Sequence, residues 1–213
     1  MSAYGEGAVA VLIVTAGDDG LVHRRDAVTD DIIGPPLRGH RNVVKAVTAA
    51  TTADGDPMII SVSEAGDARR WHAVTGGPIG EPLKAVGCHN GDLDMLRLDD
   101  GRQMLICVTI NGTVYQRDPV TGQPTGPTIA LDGTYAQLVS AYATDKQVPT
   151  AVLAVLDGNY DVIRVERWRL DTAQKVDNLP NTTRTIFHHT GQTRMVLAND
   201  NDTLTVTALP KFD

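Results

Sequence analysis

The sequence has few aromatic residues, few cysteines and no long apolar run. Aromatic residues make up 4% of its 213 residues and cysteine occurs twice, which argues against stacked-ring carbohydrate sites and against a disulfide framework. Nothing approaches the roughly 18 consecutive apolar residues of a membrane span, and the residues after Met1 do not read as a signal peptide. We therefore expect a cytoplasmic chain that has no membrane partner.

Positive charge is also scarce. Lysine and arginine total 19 against 26 acidic residues, a net charge of −7, so we predict no nucleic-acid partner. The arginines around Trp71 and Trp168 are expected to pack their stems and keep their charged heads in solvent.

Sequence motifs for common chemistry are missing too. The chain has no Gly-rich phosphate loop, nucleophile elbow, paired-cysteine zinc pattern or calcium loop, so we predict no cofactor and no metal. Cys107 lies in the apolar run Met104–Val108, where we expect a free thiol that packs as a small hydrophobe.

What the sequence does contain is a 46-residue repeat. Several features keep this step without gaps over three copies. They include the turn segments Asp26–Thr29, His72–Thr75 and Asp118–Thr121, and the glycines Gly20, Gly66 and Gly112. A fourth copy follows with about five extra residues, and a fifth, partial copy ends the chain. We predict one domain, 1–213, with units at about 1–39, 40–86, 87–131, 132–183 and 184–213.

The sequence of each unit predicts strands joined by turns. Short β-branched segments alternate with Gly, Pro, Asp and Asn, and in unit 2 we predict strands at Val43–Thr51, Met58–Ser63, Ala68–Val74 and around Glu81–Val86. Four antiparallel strands cannot bury both faces alone, so the units must stack on one another.

These residues resemble the WD repeat, especially its actinobacterial form. The resemblance rests on Val14–Asp26, Gly39-His40, Ser61–Ser63 and Arg70–His72. It implies a bacterial β-propeller with four-stranded blades and a noncatalytic role as a scaffold for protein assemblies. The family joins a His, a Ser or Thr, a turn Asp and a Trp within one blade. Because Ala65 occupies the turn position beside His40, Ser61 and Trp71, we expect this network to be largely dismantled.

We therefore predict an all-β fold, a small β-propeller of about five antiparallel blades with incomplete first and last blades. The alternative is four blades plus a hairpin, and the chain could also be one module of a longer repeat protein. The first unit is expected to lack its innermost strand and the last to end after its third. Unpaired edges invite association, so we predict a strained seam or a homo-oligomer through the terminal blades.

Two sets of residues are candidates for function. The first is a loop surface that would bind another protein, because loops on a rigid frame concentrate binding residues. Its members are His40, Arg41, Glu64, His89, Asn111, Tyr135, Asp157, Tyr160 and Arg184. The alternative is an enzyme or small-molecule binder that uses Asp92, Asp94 and His188 in a central channel, since two carboxylates on one side of a strand can do acid–base work.

Overall fold

The computed structural model describes residues 12–83, 92–132, 135–144, 146–159, 161–179, 183–189, 192–198 and 204–208. The side chains of Val139 and of residues beyond 179 lie outside this description. The described residues form sixteen strands in five antiparallel sheets, with no helix among them. The predicted all-β class is confirmed.

Each sheet corresponds to one repeat unit, and its strands follow chain order. Unit 1 contains β1 (Leu12–Ala16) and β2 (Val22–Asp26). Unit 2 contains β3 (Val44–Thr51), β4 (Pro57–Ser63) and β5 (Ala68–His72). Unit 3 contains β6 (Asp92–Arg97), β7 (Gln103–Val108), β8 (Thr113–Arg117) and β9 (Ile129–Ala130). Unit 4 contains β10 (Tyr135–Ala143), β11 (Pro149–Leu156), β12 (Val162–Arg169) and β13 (Gln174–Leu179). Unit 5 contains β14 (Thr183–His189), β15 (Gln192–Ala198) and β16 (Leu204–Ala208).

The predicted strands of unit 2 are found within two residues of their expected bounds, except the last. For the fourth strand, the residues described up to Leu83 show isolated bridges that join Ala68 to Leu83 and Trp71 to Pro78. Residues 84–91 lie outside the described residues. Residues 1–11 also lie outside them, so the lack of a first strand in unit 1 stays a prediction.

Backbone conformation explains why glycine recurs at one position of the repeat. In the first three units, Gly20, Gly66 and Gly112 have φ of +71°, +80° and +81°, respectively, a conformation that glycine adopts without steric cost. Each closes the turn between two paired strands, and the amide of Gly66 donates to the carbonyl of Ser63 at 2.9 Å. The 46-residue step therefore repeats a turn geometry.

The sheets pack on one another in chain order through alternating side chains. We call the side of a sheet that packs on the following unit its forward face and the opposite side its rear face. Met58, Ile60 and Val62 of β4 pack on Leu105 and Cys107 of unit 3. The same arrangement occurs at the two neighbouring junctions. Leu12, Val14 and Ala16 cluster with Ile59 and Trp71, and Met104, Ile106 and Val108 cluster with Leu153 and Val155.

A hydrogen-bonded bracket crosses the same three junctions. One long polar side chain on the forward face of each of β2, β5 and β8 donates to a carbonyl of the next unit. The acceptor carbonyls lie in the turns that follow β5, β8 and β12, respectively. Arg24 Nη1 donates to the carbonyls of Ala73 at 3.0 Å and Val74 at 2.7 Å, Arg70 Nη1 to that of Val120, and Gln116 Nε2 to that of Leu170 at 2.7 Å. In the register of the repeat, Arg24, Arg70 and Gln116 occupy one position.

These brackets correct the prediction that the arginine heads lie in solvent. The Arg70 head donates to the carbonyls of Val120 and Glu81. Arg167 is 1% exposed and pairs with Asp177 of the adjacent strand. A guanidinium has five donors in a planar fork. Here part of that fork donates to carbonyls or to a carboxylate, while Nε of Arg24 and of Arg70 is buried without a hydrogen-bond partner among the described residues.

Cys107 is buried as predicted but is disulfide-bonded, so the expected free thiol is wrong. Cys88, the other cysteine of the sequence, lies outside the described residues. Disulfides persist in oxidising compartments and are rare in the cytosol. The cytoplasmic location therefore stays a prediction.

Candidate functional site

A cleft opens on the loop surface where units 1 and 2 meet. It has a volume of about 290 Å³ and is lined by Asp18, Asp19, Gly20, His40, Arg41, Asn42, Val43 and Glu64. Three residues of the predicted binding surface, His40, Arg41 and Glu64, therefore line one cavity. Asp18 and Asp19, from the loop between β1 and β2, line the cleft as well.

Backbone hydrogen bonds hold the three loops of the cleft together. The amide of Val44 donates to the carbonyl of Gly17 at 3.2 Å, and the amide of Glu64 donates to the carbonyl of Val43 at 2.9 Å. Gly20 fits against the second loop, because a Cβ there would lie 3.1 Å from the carbonyl oxygen of Asn42. The floor of the cleft is thus fixed while the charged side chains of Arg41 and Glu64 are exposed.

A chain of hydrogen bonds lies directly behind the cleft and corrects the prediction that the His, Ser, Asp and Trp network is largely dismantled. Trp71 Nε1 donates to Ser61 Oγ at 2.8 Å, and Ser61 Oγ lies 2.7 Å from His40 Nε2. His40 Nδ1 lies 3.1 Å from Asp67 Oδ2, and Ser63 Oγ donates to the same carboxylate. The network is therefore complete in unit 2. Its acid is Asp67, two residues beyond the turn position that holds Ala65.

The network fixes the charge state of its members. Burial lowers the pKa of His40, although the nearby Asp67 opposes this shift. Burial raises the pKa of Asp67, but the Ser63 hydrogen bond and the contact with His40 outweigh it and leave that pKa below its ordinary value. A neutral His40 that donates from Nδ1 to an ionised Asp67 and accepts at Nε2 from the Ser61 hydroxyl satisfies every partner. The His40 side chain is 1% exposed, so it supports the cleft wall from within.

Asn111, Tyr135 and Asp157, the other residues of the predicted loop surface whose side chains are described, do not line this cleft. The carboxylate of Asp157 accepts the amides of Asn159 at 2.8 Å and Asp161 at 3.0 Å, which is ordinary turn chemistry. Asn111 accepts a hydrogen bond from the Thr109 hydroxyl, and Tyr135 begins β10. His89 and Tyr160 lie outside the described residues, as does the side chain of Arg184.

Asp92 and Asp94 lie on β6 and bind β10, the first strand of unit 4, through their carboxylates. Asp92 Oδ2 accepts the amide of Leu138 at 2.9 Å, and Asp94 Oδ2 accepts the amide of Ala141 at 3.0 Å. These two amides flank the irregularity in the pairing of β10 with β11. The carboxylates therefore cap a strand edge that would otherwise have unpaired donors.

Burial shapes the acidity of both carboxyls. It raises the pKa of Asp92 and of Asp94, and the accepted backbone amides only partly offset this. Asp94 also lines a second cavity of about 380 Å³, together with Arg97, Gln103 and Thr48–Thr51. His188 lies on β14, and its side chain is outside the described residues.

The described residues contain neither a membrane-spanning helix nor a cluster of metal-binding side chains. No helix among them is long and apolar enough to cross a membrane. No group of three or more His, Cys, Asp or Glu side chains among them could hold a metal ion.

Comparison with known proteins identifies a shared fold and no family. No protein-family model matches the chain, and no curated protein matches it. Among solved structures, the crystal structure of a computationally designed protein, Ika8, matches with a TM-score of 0.55 and 16% sequence identity. The match covers 93% of this chain and 55% of the designed chain, so this chain spans just over half of that structure. At this identity the likeness shows the fold alone.

Proposed function

We propose that the chain is a noncatalytic protein-binding module, a WD-repeat-like β-propeller whose blades are the five sheets. The order of the sheets supports this arrangement. β3 contacts β6, β6 contacts β10, and β10 contacts β14, so the innermost strands of successive units are neighbours. Radial stacking of four-stranded units brings innermost strands together in this way.

The hydrogen-bonded network of unit 2 supports the resemblance to the WD repeat. His40, Ser61, Trp71 and Asp67 supply the four residue types that the family combines within one blade.

The observation that carries the proposal is the cleft between units 1 and 2. Arg41 and Glu64 come from separate loops, are exposed, and project from a floor that backbone hydrogen bonds hold in place. A preorganised surface loses little conformational entropy when it binds a partner. The function that fits is capture of another protein by its loop surface.

The test is a binding comparison between charge-reversed variants. The intact chain is crosslinked in cells, and the proteins joined to it are identified by mass spectrometry. We expect a partner that crosslinks to the wild-type chain to be lost with Glu64→Lys and with Arg41→Glu.

Glu81→Lys is the matched control, because Glu81 is an exposed glutamate of the same unit outside the cleft. It should retain the partner. A partner retained equally by Glu64→Lys and Arg41→Glu would contradict the assignment of the cleft, and so would a partner lost equally with Glu81→Lys.

The alternative is a site around Asp92, Asp94 and His188 for a small molecule or for acid–base catalysis. The raised pKa values of the two carboxyls favour it, since a general acid must hold its proton near working pH. Against it, both carboxylates already accept backbone amides of β10. A small molecule that copurifies with the wild-type chain and is absent from Asp92→Asn would reverse the ranking.

A further inference from the structure

The cavity of about 380 Å³ lies between β3 of unit 2 and β6 of unit 3, at a junction that lacks the carboxylate of the next one. At the junction of units 3 and 4, Asp94 Oδ2 accepts the amide of Ala141. Thr48 holds the corresponding position in unit 2, because Thr48 pairs with Ile60 as Asp94 pairs with Ile106, one 46-residue step later. A threonine has no carboxylate, so unit 2 brings no negative charge to this position.

The charges at the two junctions are complementary in the same register. Arg97 ends β6 and pairs with Gln103, and its counterpart in unit 4 is Ala143, which pairs with Pro149. The unit that receives carboxylates from its predecessor therefore has an alanine here, whereas unit 3 has a guanidinium. Arg97 is exposed and forms no hydrogen bond or ion pair with the described residues. A cation without a partner thus lines the cavity.

The free polar groups of the cavity can all donate hydrogen bonds. Gln103 Oε1 accepts the amide of Thr51 at 2.9 Å, and Gln103 Nε2 donates to the Thr51 hydroxyl at 2.8 Å. That hydroxyl therefore keeps its own proton to donate. The Thr48 hydroxyl has no partner among the described residues. Asp94, the one acid of the described lining, already accepts a backbone amide at each oxygen. An anion that is rich in acceptors fits these groups.

We propose that this cavity binds a small organic carboxylate. The carboxylate pairs with the guanidinium of Arg97, whose planar fork matches two carboxylate oxygens, and it accepts from the hydroxyls of Thr48 and Thr51. The apolar part of the lining comprises Ala49, Ala50 and Met95. A short alkyl chain therefore fits beside the charge, and the volume is within the range of about 300–1,000 Å³ for small-molecule sites.

This site is separate from the proposed partner cleft. Val43 of the cleft precedes β3 and Thr51 of the cavity ends it, so the two sites lie at opposite ends of that strand. The site also differs from the alternative acid–base site, because Asp94 forms a fixed wall of the cavity and Arg97 is the group that binds. Variants of the cavity should therefore leave protein capture by the cleft intact.

The test is a titration of the full chain with butyrate up to about 20 mM, a range that detects millimolar dissociation constants, followed by NMR at the backbone amides. We expect saturable shifts at Thr51 and Arg97. The alcohol n-butanol has the same chain without the charge and should cause no saturable shift, and inorganic phosphate should bind more weakly than butyrate. The absence of a saturable shift with butyrate would overturn the proposal, as would equal affinity for n-butanol or tighter binding of phosphate.

Two variants locate the charge. Arg97→Gln removes the cation and should weaken butyrate binding about tenfold or more. Thr48→Asp gives unit 2 the carboxylate that Asp94 provides in unit 3, so it should abolish butyrate binding. Arg38→Gln is the matched control, because Arg38 is an exposed arginine outside the cavity, and it should bind butyrate as the wild type does. Unchanged affinity in Arg97→Gln would overturn the proposal, and so would butyrate binding retained by a folded Thr48→Asp variant.

Discussion

Arg24 Nη1 lies 2.7 Å from the carbonyl oxygen of Val74. This contact joins β2 of unit 1 to the turn that follows β5 of unit 2. Arg24 is 3% exposed, and its head also donates to the carbonyl of Ala73. Hydrogen bonds from charged donors stabilise by about 1.5–3 kcal/mol each. This pair therefore ties two sheets that share no backbone ladder.

Loss of the bracket should lower the free energy of unfolding. Arg24→Ala removes both hydrogen bonds and buried stem contacts, and we expect a loss of about 2–4 kcal/mol. Arg24→Gln should lose less than half as much, because Gln116 makes the equivalent bond at the next-but-one unit. Equilibrium denaturation in urea measures both. An Arg24→Ala variant within about 0.5 kcal/mol of the wild type would show that the bracket does not stabilise the junction.

Substitution of Gly76 tests two costs of adding a Cβ, backbone strain and the clash with Arg24. Its φ is +76°, and a Cβ there would lie 2.5 Å from Arg24 Nη2. Gly55 has φ +88° and no atom within 4 Å of such a Cβ, so Gly55→Ala reports the backbone cost alone, about 1–2 kcal/mol. We expect Gly76→Ala to cost more.

A double-mutant cycle tests the cause. In the Arg24→Ala background the cost of Gly76→Ala should fall but stay above that of Gly55→Ala, because the contact with Arg24 has been removed while Leu37 Cδ2 still lies 2.9 Å from such a Cβ. Equal costs for Gly76→Ala in the two backgrounds would assign its effect to the backbone and not to Arg24.

Much of the fold could be predicted from the sequence because the repeat has local causes. Glycines with positive φ, such as Gly66 and Gly112, recur at a fixed step, and the apolar runs between them are strands with two buried faces. These signals predict the element type and the order of the units. These signals do not show which group a polar side chain contacts across a junction, so the hydrogen bonds from the head of Arg70 were missed.

The candidate site was predicted in part. Arg41 and Glu64 were found because two charged loop residues of unit 2 lie on the same side of the stacked sheets. Asp67 was missed because the repeat holds Leu21 and Thr113 at its position, so no periodic signal marks it. The roles of Asp92 and Asp94 depend on the irregular pairing of β10, which no local pattern shows.

The His40 network predicts a dependence of stability on pH. Because the pKa of His40 is lowered in the folded state, the unfolded chain binds a proton more readily, and stability falls as pH drops below about 6.5. The lowered pKa of Asp67 adds stability that is present above about pH 4 and is lost on further acidification. Urea denaturation between pH 7.5 and pH 5 measures the first effect.

His40→Gln is the comparison for that measurement. It removes the titrating ring, so the fall in stability between pH 6.5 and pH 5 should become shallower than in the wild type. An identical slope in the two proteins would show that His40 does not contribute to the pH dependence.

Asp92 offers a test of whether its carboxylate is needed for structure or for chemistry. Asp92→Asn retains an oxygen that can accept the amide of Leu138 and removes a buried charge. Since burial raises the pKa of Asp92, its ionised form opposes folding as pH rises through the folded-state pKa. We therefore expect Asp92→Asn to be at least as stable as the wild type at pH 7. Asp92→Ala should lose about 1–3 kcal/mol, because Leu138 then has a buried amide without an acceptor.

Asp94 sharpens this comparison because its two oxygens accept two amides, those of Met95 and Ala141. Asn supplies only one acceptor, so Asp94→Asn should lose one hydrogen bond where Asp92→Asn loses none. Amide hydrogen exchange at Leu138 and Ala141, alongside urea denaturation, distinguishes the two variants. If Asp92→Asn proved as unstable as Asp92→Ala, the negative charge itself would stabilise β10. If Asp92→Asn were fully stable yet lost a bound small molecule, the carboxylate would serve a small-molecule site, and the protein-binding proposal would yield to that alternative.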